Sequence, residues 1–182
     1  MDKALIEVGG ESLGRRAARV LGAVCSPVLE VGPGHSGLEA VREDPPGQGP
    51  LAAIAAGGAA LRRSGHGEPA LVLAVDMPLV TEELLRFLKG WPGDATVIPF
   101  VGGQSQPVCA RYSPEAMIRA DEAVRAGDRS IREFLRTLSN VQWAGPRMWG
   151  HVADERTFAD LDTPDDLRRL GLDVSPGEGV EQ

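Results

Sequence analysis

Cysteine is almost missing from this chain. Of 182 residues, only Cys25 and Cys109 carry a thiol. They stand far apart, so they form no paired redox motif and no metal motif. They read as two reduced packing residues of a cytoplasmic protein. Histidine is nearly as sparse. His35, His66 and His151 are scattered at turn-like sites, without Cys or paired carboxylates nearby in sequence. That makes a zinc site a poor expectation. Positive charge is in deficit: the formal net charge is −7 and the sequence pI is about 5.0. A general basic surface for nucleic acid is therefore not expected. No apolar run approaches the length of a membrane span, and the first residues do not read as a signal peptide. The expectation is a chain with no nucleic-acid partner and no membrane partner.

What is present suits a globular protein. Hydrophobic residues make up 42% and charged residues 25%, which is outside the range of disordered chains. The length fits one domain with a core of its own. We expect that domain over residues 1–172, with a loose Gly/Pro/Glu-rich tail over 173–182.

The stretch from Pro69 to Val80 organises the rest. Ala70 to Val75 is a continuous apolar run, too short for a lone helix. Such a run reads as a strand buried on both faces of a parallel sheet. Asp76 ends it. An unpartnered carboxylate is costly in apolar surroundings, so Asp76 belongs at the open carboxyl end of the strand, where α/β sheets bind ligands. Pro78 stops the ladder, and Thr81 reads as the N-cap of a helix carrying Leu84, Leu85 and Leu88. An exposed carboxylate there can hold a divalent metal on phosphates. It can equally just cap the loop.

Taken in order, the chain alternates between strand and helix signals. Ser12 precedes a helix with Leu13, Ala17, Val20 and Leu21 at helical spacing. Pro27–Val31 and Leu38–Arg42 read as strands. A turn-rich loop from Glu43 to Pro50 leads into an Ala-rich helix over 51–62. Ala95–Val101 is a strand, Gly102–Ser105 a turn, and Gln106–Tyr112 a strand returning from it. Ser113-Pro114-Glu115 starts a helix that runs to about Arg125, and Ser130 starts another. Val141–Trp143 and Met148–Val152 read as short strands, and Phe158–Asp162 as extended. Thr163-Pro164 opens a last helix through Leu170. This alternation predicts a three-layer α/β domain with a mostly parallel sheet.

Three acidic clusters follow predicted strands: Glu43/Asp44, Asp76 and Asp160/Asp162. Strand carboxyl ends gather on one edge of a parallel sheet, which would bring the clusters together. An acidic pocket that holds anionic phosphates needs a divalent cation, and Mg²⁺ prefers one or two carboxylates plus phosphate oxygens. Asp162 reads equally as a cap for the last helix. Gly49-Pro50-Leu51 at a helix start suits a nucleotide base or phosphate, and equally a proline-started helix. Lys3 alone reads as an ordinary surface lysine.

Together these residues resemble the molybdenum cofactor guanylyltransferase family. The resemblance rests on Asp2-Lys3-Ala4-Leu5 leading to Gly9-Gly10, and on Asp44 leading to Gly49-Pro50-Leu51-Ala52. It continues through Val75-Asp76-Met77-Pro78, Gln106-Pro107, Arg129-Ser130 and Asp160-Leu161-Asp162-Thr163-Pro164. It covers roughly residues 2–171. Where Ala53 stands here, the family often has glycine. The resemblance implies a Rossmann-like nucleotidyltransferase fold that moves GMP from GTP onto the terminal phosphate of molybdopterin with Mg²⁺, releasing pyrophosphate. It implies that Lys3 neutralises nucleotide phosphates and that Asp44, Gly49, Pro50 and Leu51 contact the nucleotide. Asp76 would hold the metal. Asp160 and Asp162 would lie near metal and acceptor, and Gln106 and Pro107 would line the acceptor side. Molybdoenzymes or other cofactor-biosynthesis proteins are the implied protein partners.

The family carries an apolar strand and a Gly-rich phosphate loop just before its Asp-Lys pair, whereas this chain opens at Met1-Asp2. The expectation is that the functional protein starts earlier. A chain beginning at Met1 should transfer GMP poorly, because no preorganised loop sets triphosphate beside Lys3. Two alternatives stay open at this point. One is a transferase of the same fold using CTP or a sugar phosphate. The other is a non-catalytic homologue that binds molybdopterin or a partner protein.

Overall fold

The structure is a computed structural model that describes residues 2–161 and 164–172. A single 3-10 turn over Lys3–Leu5 leads into a small hairpin of β1 (Glu7–Val8) and β2 (Glu11–Ser12). Helix α1 (Leu13–Gly22) follows, with the Ser12 hydroxyl accepting from the Arg15 amide at 3.4 Å. Strands β3 (Leu29–Val31) and β4 (Glu39–Val41) pair in parallel as a separate two-stranded sheet. Helix α2 spans Pro50–Arg63, β5 spans Ala70–Leu73, and α3 spans Glu82–Lys89 behind its Thr81 cap. Then come β6 (Thr96–Val101), β7 (Gln104–Ser105), β8 (Cys109–Tyr112), α4 (Pro114–Arg125) and α5 (Ile131–Thr137). The chain continues through β9 (Val141–Ala144), α6 (Pro146–Trp149), a 3-10 turn over Glu155–Phe158, and α7 (Pro164–Leu170).

Three layers are present, as the alternation predicts. On one face of the main sheet, Leu51, Ile54 and Ala55 of α2 pack with Met117 of α4, Phe134 of α5 and Ile98 of β6. On the other face, Val20 of α1 and Leu84, Leu85 and Leu88 of α3 pack with Val97, Cys109 and Trp149. The alternation along the strands produces this split, because successive side chains point to opposite faces. Ala110 and Tyr112 go to the first core, and Cys109 to the second. Burial pushes the Cys109 thiol up to about 12 and raises the Cys25 thiol as well. Neither is a nucleophile at neutral pH.

The sheet is mixed rather than mostly parallel. Its order is β5-β8-β6-β7, with β9 on β6. Strand β8 runs antiparallel to both β5 and β6, while β9 runs parallel to β6. The tight turn at Gly102-Gly103 reverses the chain, so the returning strand pairs beside the one it came from. A second expectation also fails. Residues 148–152 form no strand: Pro146–Trp149 is a short helix entered from Gly145 with proline at its start. Strand β5 is half-buried along its length rather than fully buried on both faces. Its one hydrogen-bonded neighbour among the described residues is β8, so its other edge is uncovered by sheet.

Helices α2 and α4 meet where Gly58 has no side chain. A Cβ there would lie 2.9 Å from Met117 Cβ. Gly58→Val is therefore expected to force the two helices apart and lower stability by about 1–3 kcal/mol, more than any gain in helix propensity returns. Urea unfolding measures it, and an unchanged midpoint would contradict the packing.

Candidate active site

Asp76 lies just past the carboxyl end of β5, three residues beyond Leu73. The chain cannot continue the ladder there, and a turn takes over, with the Met77 amide donating to Ala74 O and the Val80 amide to Met77 O. Met77 and Pro78 are buried, while Asp76 keeps its carboxylate at the surface with a side-chain exposure of 24%. The Lys3 ammonium donates to Asp76 Oδ2 at 3.0 Å. Lys3 reaches it from the 3-10 turn, which the Asp2 side chain caps by accepting from the Ala4 amide at 3.0 Å. The other Asp2 oxygen faces His35 Nε2 at 3.3 Å.

The Asp160 segment arrives from far along the chain. The Leu161 amide donates to the Asp76 carbonyl at 2.8 Å. Leu161 is buried in a third core with Val8, Leu13, Leu167 and Leu170. That core joins the N-terminal hairpin, the start of α1 and the last helix. Hydrophobic burial of Leu161 therefore holds the exposed Asp160 beside the Asp76 turn. Asp162 and its capping partner Thr163 lie outside the described residues.

The loop from Glu43 to Pro50 is built differently. Gly49 caps α2 with φ at 90°, a conformation that favours glycine, and Pro50 opens the helix. The Glu43 carboxylate accepts from the Gln48 amide at 3.1 Å. Arg129 Nε donates to Gln48 Oε1 at 2.7 Å and braces the loop from the α4–α5 connection. Leu51 is fully buried, so it anchors the helix start rather than presenting its side chain at the surface. Asp44 is exposed and makes no ion pair among the described residues. Gln106 and Pro107 sit between the ends of β6 and β5. The Gln106 amide donates to Pro99 O at 2.8 Å, and the Ala74 amide donates to Val108 O at 2.7 Å.

Of the three acidic clusters, Asp76 and Asp160 are thus brought together by a direct backbone bond. No bond among the described residues ties Asp44 to them. No three of His, Cys, Asp and Glu gather into a metal-holding group among the described residues.

Two site residues were not singled out from the sequence. Arg16 Nε donates to the Pro78 carbonyl at 2.6 Å and carries a second cation to the Asp76 turn. Its signal was faint: it flanks Leu13 and Val20 on α1 at helical spacing. Arg129 entered only as part of a motif, and its bond to Gln48 shows what it supports. Its partner lies 81 residues away, so no local pattern announces it.

The model of the MobA-like NTP transferase domain matches residues 1–142. A Chloroflexus aggregans protein described as "probable molybdenum cofactor guanylyltransferase" is 32% identical over 180 residues, covering 92% of this chain and 84% of that protein. A Pelotomaculum thermopropionicum protein with the same description is 33% identical over 175 residues, covering 91% and 82%. Among solved structures, the molybdopterin-guanine dinucleotide biosynthesis protein A of Archaeoglobus fulgidus superposes with a TM-score of 0.72 at 25% identity, over 93% of this chain and 89% of that one. A helix-bounded mixed sheet, a strand-end Asp-Met-Pro turn beside a lysine and these likenesses agree, and the chain belongs to the MobA-like NTP transferase domain family.

Proposed function

We propose that the chain transfers GMP from GTP to the terminal phosphate of molybdopterin. An oxygen of the acceptor phosphate attacks the α-phosphorus of GTP. The bond from that phosphorus to the bridging oxygen breaks, and pyrophosphate leaves with the electron pair. The acceptor is already an anion, so no side chain has to act as a base. The task is to bring anions together and neutralise charge as it shifts. The carrying observation is the Asp76–Lys3 pair at the carboxyl end of β5.

Asp76 would hold Mg²⁺, with Asp162 as the second expected ligand. Oxygen donors at an open edge suit that ion. When bound, Mg²⁺ supplies positive charge against the phosphates. Lys3, which donates to Asp76, would be the cation for the phosphate oxygens, and Arg16 on the Pro78 carbonyl would be a positive neighbour. Gly49 and Pro50, braced by Arg129 and Gln48, set the helix start against the nucleotide, with Asp44 nearby as a contact. Gln106, Pro107 and Asp160 face the acceptor. Two unpaired cysteines fit a cytoplasmic protein. Its product would pass to molybdoenzymes or other cofactor-biosynthesis proteins.

Calorimetric titration with GTP and CTP, each with Mg²⁺, tests the nucleotide. GTP is expected to bind at least tenfold tighter. Tighter CTP binding would replace guanylyl with cytidylyl transfer.

A further inference from the structure

One groove on the described surface lies away from Asp76. It is an open groove of about 630 Å³ between the β6–β7 turn, α5 and the end of β9. Phe100 and Trp143, Arg132 and Arg136, and Gln104 and Ser105 are among the residues that line it. No carboxylate lines it, although the chain as a whole carries a net charge of −7.

The groove follows from strand register. Trp143 of β9 pairs with Ile98 of β6, and partners in a parallel pair point to the same face. Phe100 is two residues beyond Ile98 and shares that face. Ile98 is fully buried under α2, α4 and α5. Past it the helical cover ends, and the same stripe emerges as Phe100 at 39% and Trp143 at 47% exposure. Arg132 and Arg136 are one turn apart on α5, so they share a face. Arg132 has no ion-pair or hydrogen-bond partner among the described residues. Arg136 has one exposed contact, to Glu133 at 3.4 Å, and such a pair is weak. Two exposed aromatic faces beside two guanidiniums suit a planar, electron-poor or anionic ring system.

Strand direction sets where the groove lies relative to Asp76. Strands β5, β6 and β9 all run the same way, because β8 is antiparallel to β5 and β6 and β9 is parallel to β6. Their carboxyl ends share one edge of the sheet. Only β8 separates β5 from β6, so their axes are about 10 Å apart at ~4.8 Å per strand. Gln106 and Pro107 lie between them, in the turn that leads into β8.

We propose that this groove holds the planar heteroaromatic body of the acceptor, stacked on Trp143 and Phe100 with its anionic substituents under Arg132 and Arg136. The phosphate end then runs past Gln106 and Pro107 toward Asp76. The inference rests on the guanylyl-transfer reading for the identity of the acceptor. The cavity has the size of an ordinary small-ligand site, typically about 300–1,000 Å³.

The test uses the full chain and a fluorescent probe, a pterin bearing a phosphomonoester on its side chain. Affinity for the probe and for GTP with Mg²⁺ is measured in the native protein, Trp143→Ala, Trp143→Phe and the double variant Arg132→Glu/Arg136→Glu. Losing one stacking face is expected to weaken the probe about ten- to hundredfold. Trp143→Phe should restore most of it. The double charge reversal should weaken the probe at least as much as Trp143→Ala. GTP affinity should stay within about twofold throughout. All three side chains are exposed, so thermal midpoints should hold. Equal probe affinity in every variant overturns the proposal. Loss of GTP binding with probe binding intact also overturns it and makes the groove a base site. If GTP binds and the probe does not, the groove assignment falls while the transferase reading stands. If neither binds, both fall together.

Discussion

Asp76→Asn is expected to leave the fold intact and to lower GMP transfer by roughly 10²-fold or more, the scale of losing one preorganised charge interaction at a phosphoryl centre. The fold should survive because Asp76 lies in a turn at the sheet edge and Leu161 bonds to its backbone carbonyl, not its carboxylate. Asparagine keeps that carbonyl, and its side-chain oxygen can still accept from Lys3. The lost ion pair is partly exposed on both sides, at 36% and 24%, and such pairs contribute under about 1 kcal/mol. The loss falls on charge: an amide is a poorer ligand for a hard divalent cation. Transfer assays at saturating Mg²⁺, paired with thermal unfolding, separate the two effects. Native-like turnover in Asp76→Asn would remove Asp76 from the metal site.

The largest stability effect is expected at Trp149. It is 2% exposed and packs edge-on against Phe158 with ring centroids 5.0 Å apart. Its indole N–H donates to the Ala144 carbonyl at 2.9 Å. Trp149→Ala should cost about 3–5 kcal/mol, from lost burial and the cavity left behind, together with the loss of the indole bond to Ala144. The consequence reaches the site. Phe158 closes the turn capped by Asp154, whose side chain accepts from the Thr157 amide at 3.0 Å. That turn leads directly into Ala159, Asp160 and Leu161. Loosening the Trp149–Phe158 contact should therefore also loosen the Leu161–Asp76 bond. Urea unfolding gives the stability change, and amide exchange at Leu161 gives the local one. Trp149→Phe, which keeps a ring but not the donor, should fall between. A loss below about 1 kcal/mol in Trp149→Ala would mean the indole is not part of the core.

Helix starts were legible in the sequence because a cap is a contact between residues three apart. Ser12, Thr81, Ser113 and Ser130 each cap the helix expected behind them. The place of Asp76 was legible too, since a carboxylate is costly inside an apolar run and falls at its open end. The motifs carried the family for the same reason: each is a short run of neighbours. The direction of β8 was not legible as a property of the sheet. The Gly102-Gly103 turn shows that the chain reverses, but not which strands the returning segment will pair with, and its place between β5 and β6 breaks the parallel order. Residues 148–152 misled because a short segment with apolar Met148, Trp149 and Val152 suits a strand and a buried helical turn equally. Tertiary packing decided it by burying Trp149. The site itself depended most on tertiary structure. Leu161 meets Asp76, Arg16 meets Pro78 and Arg129 meets Gln48 across separations of 62 residues or more, and Lys3 meets Asp76 across 73. Such bonds form only after the apolar cores have brought distant segments together, because loop closure over those lengths costs more than any one polar contact returns.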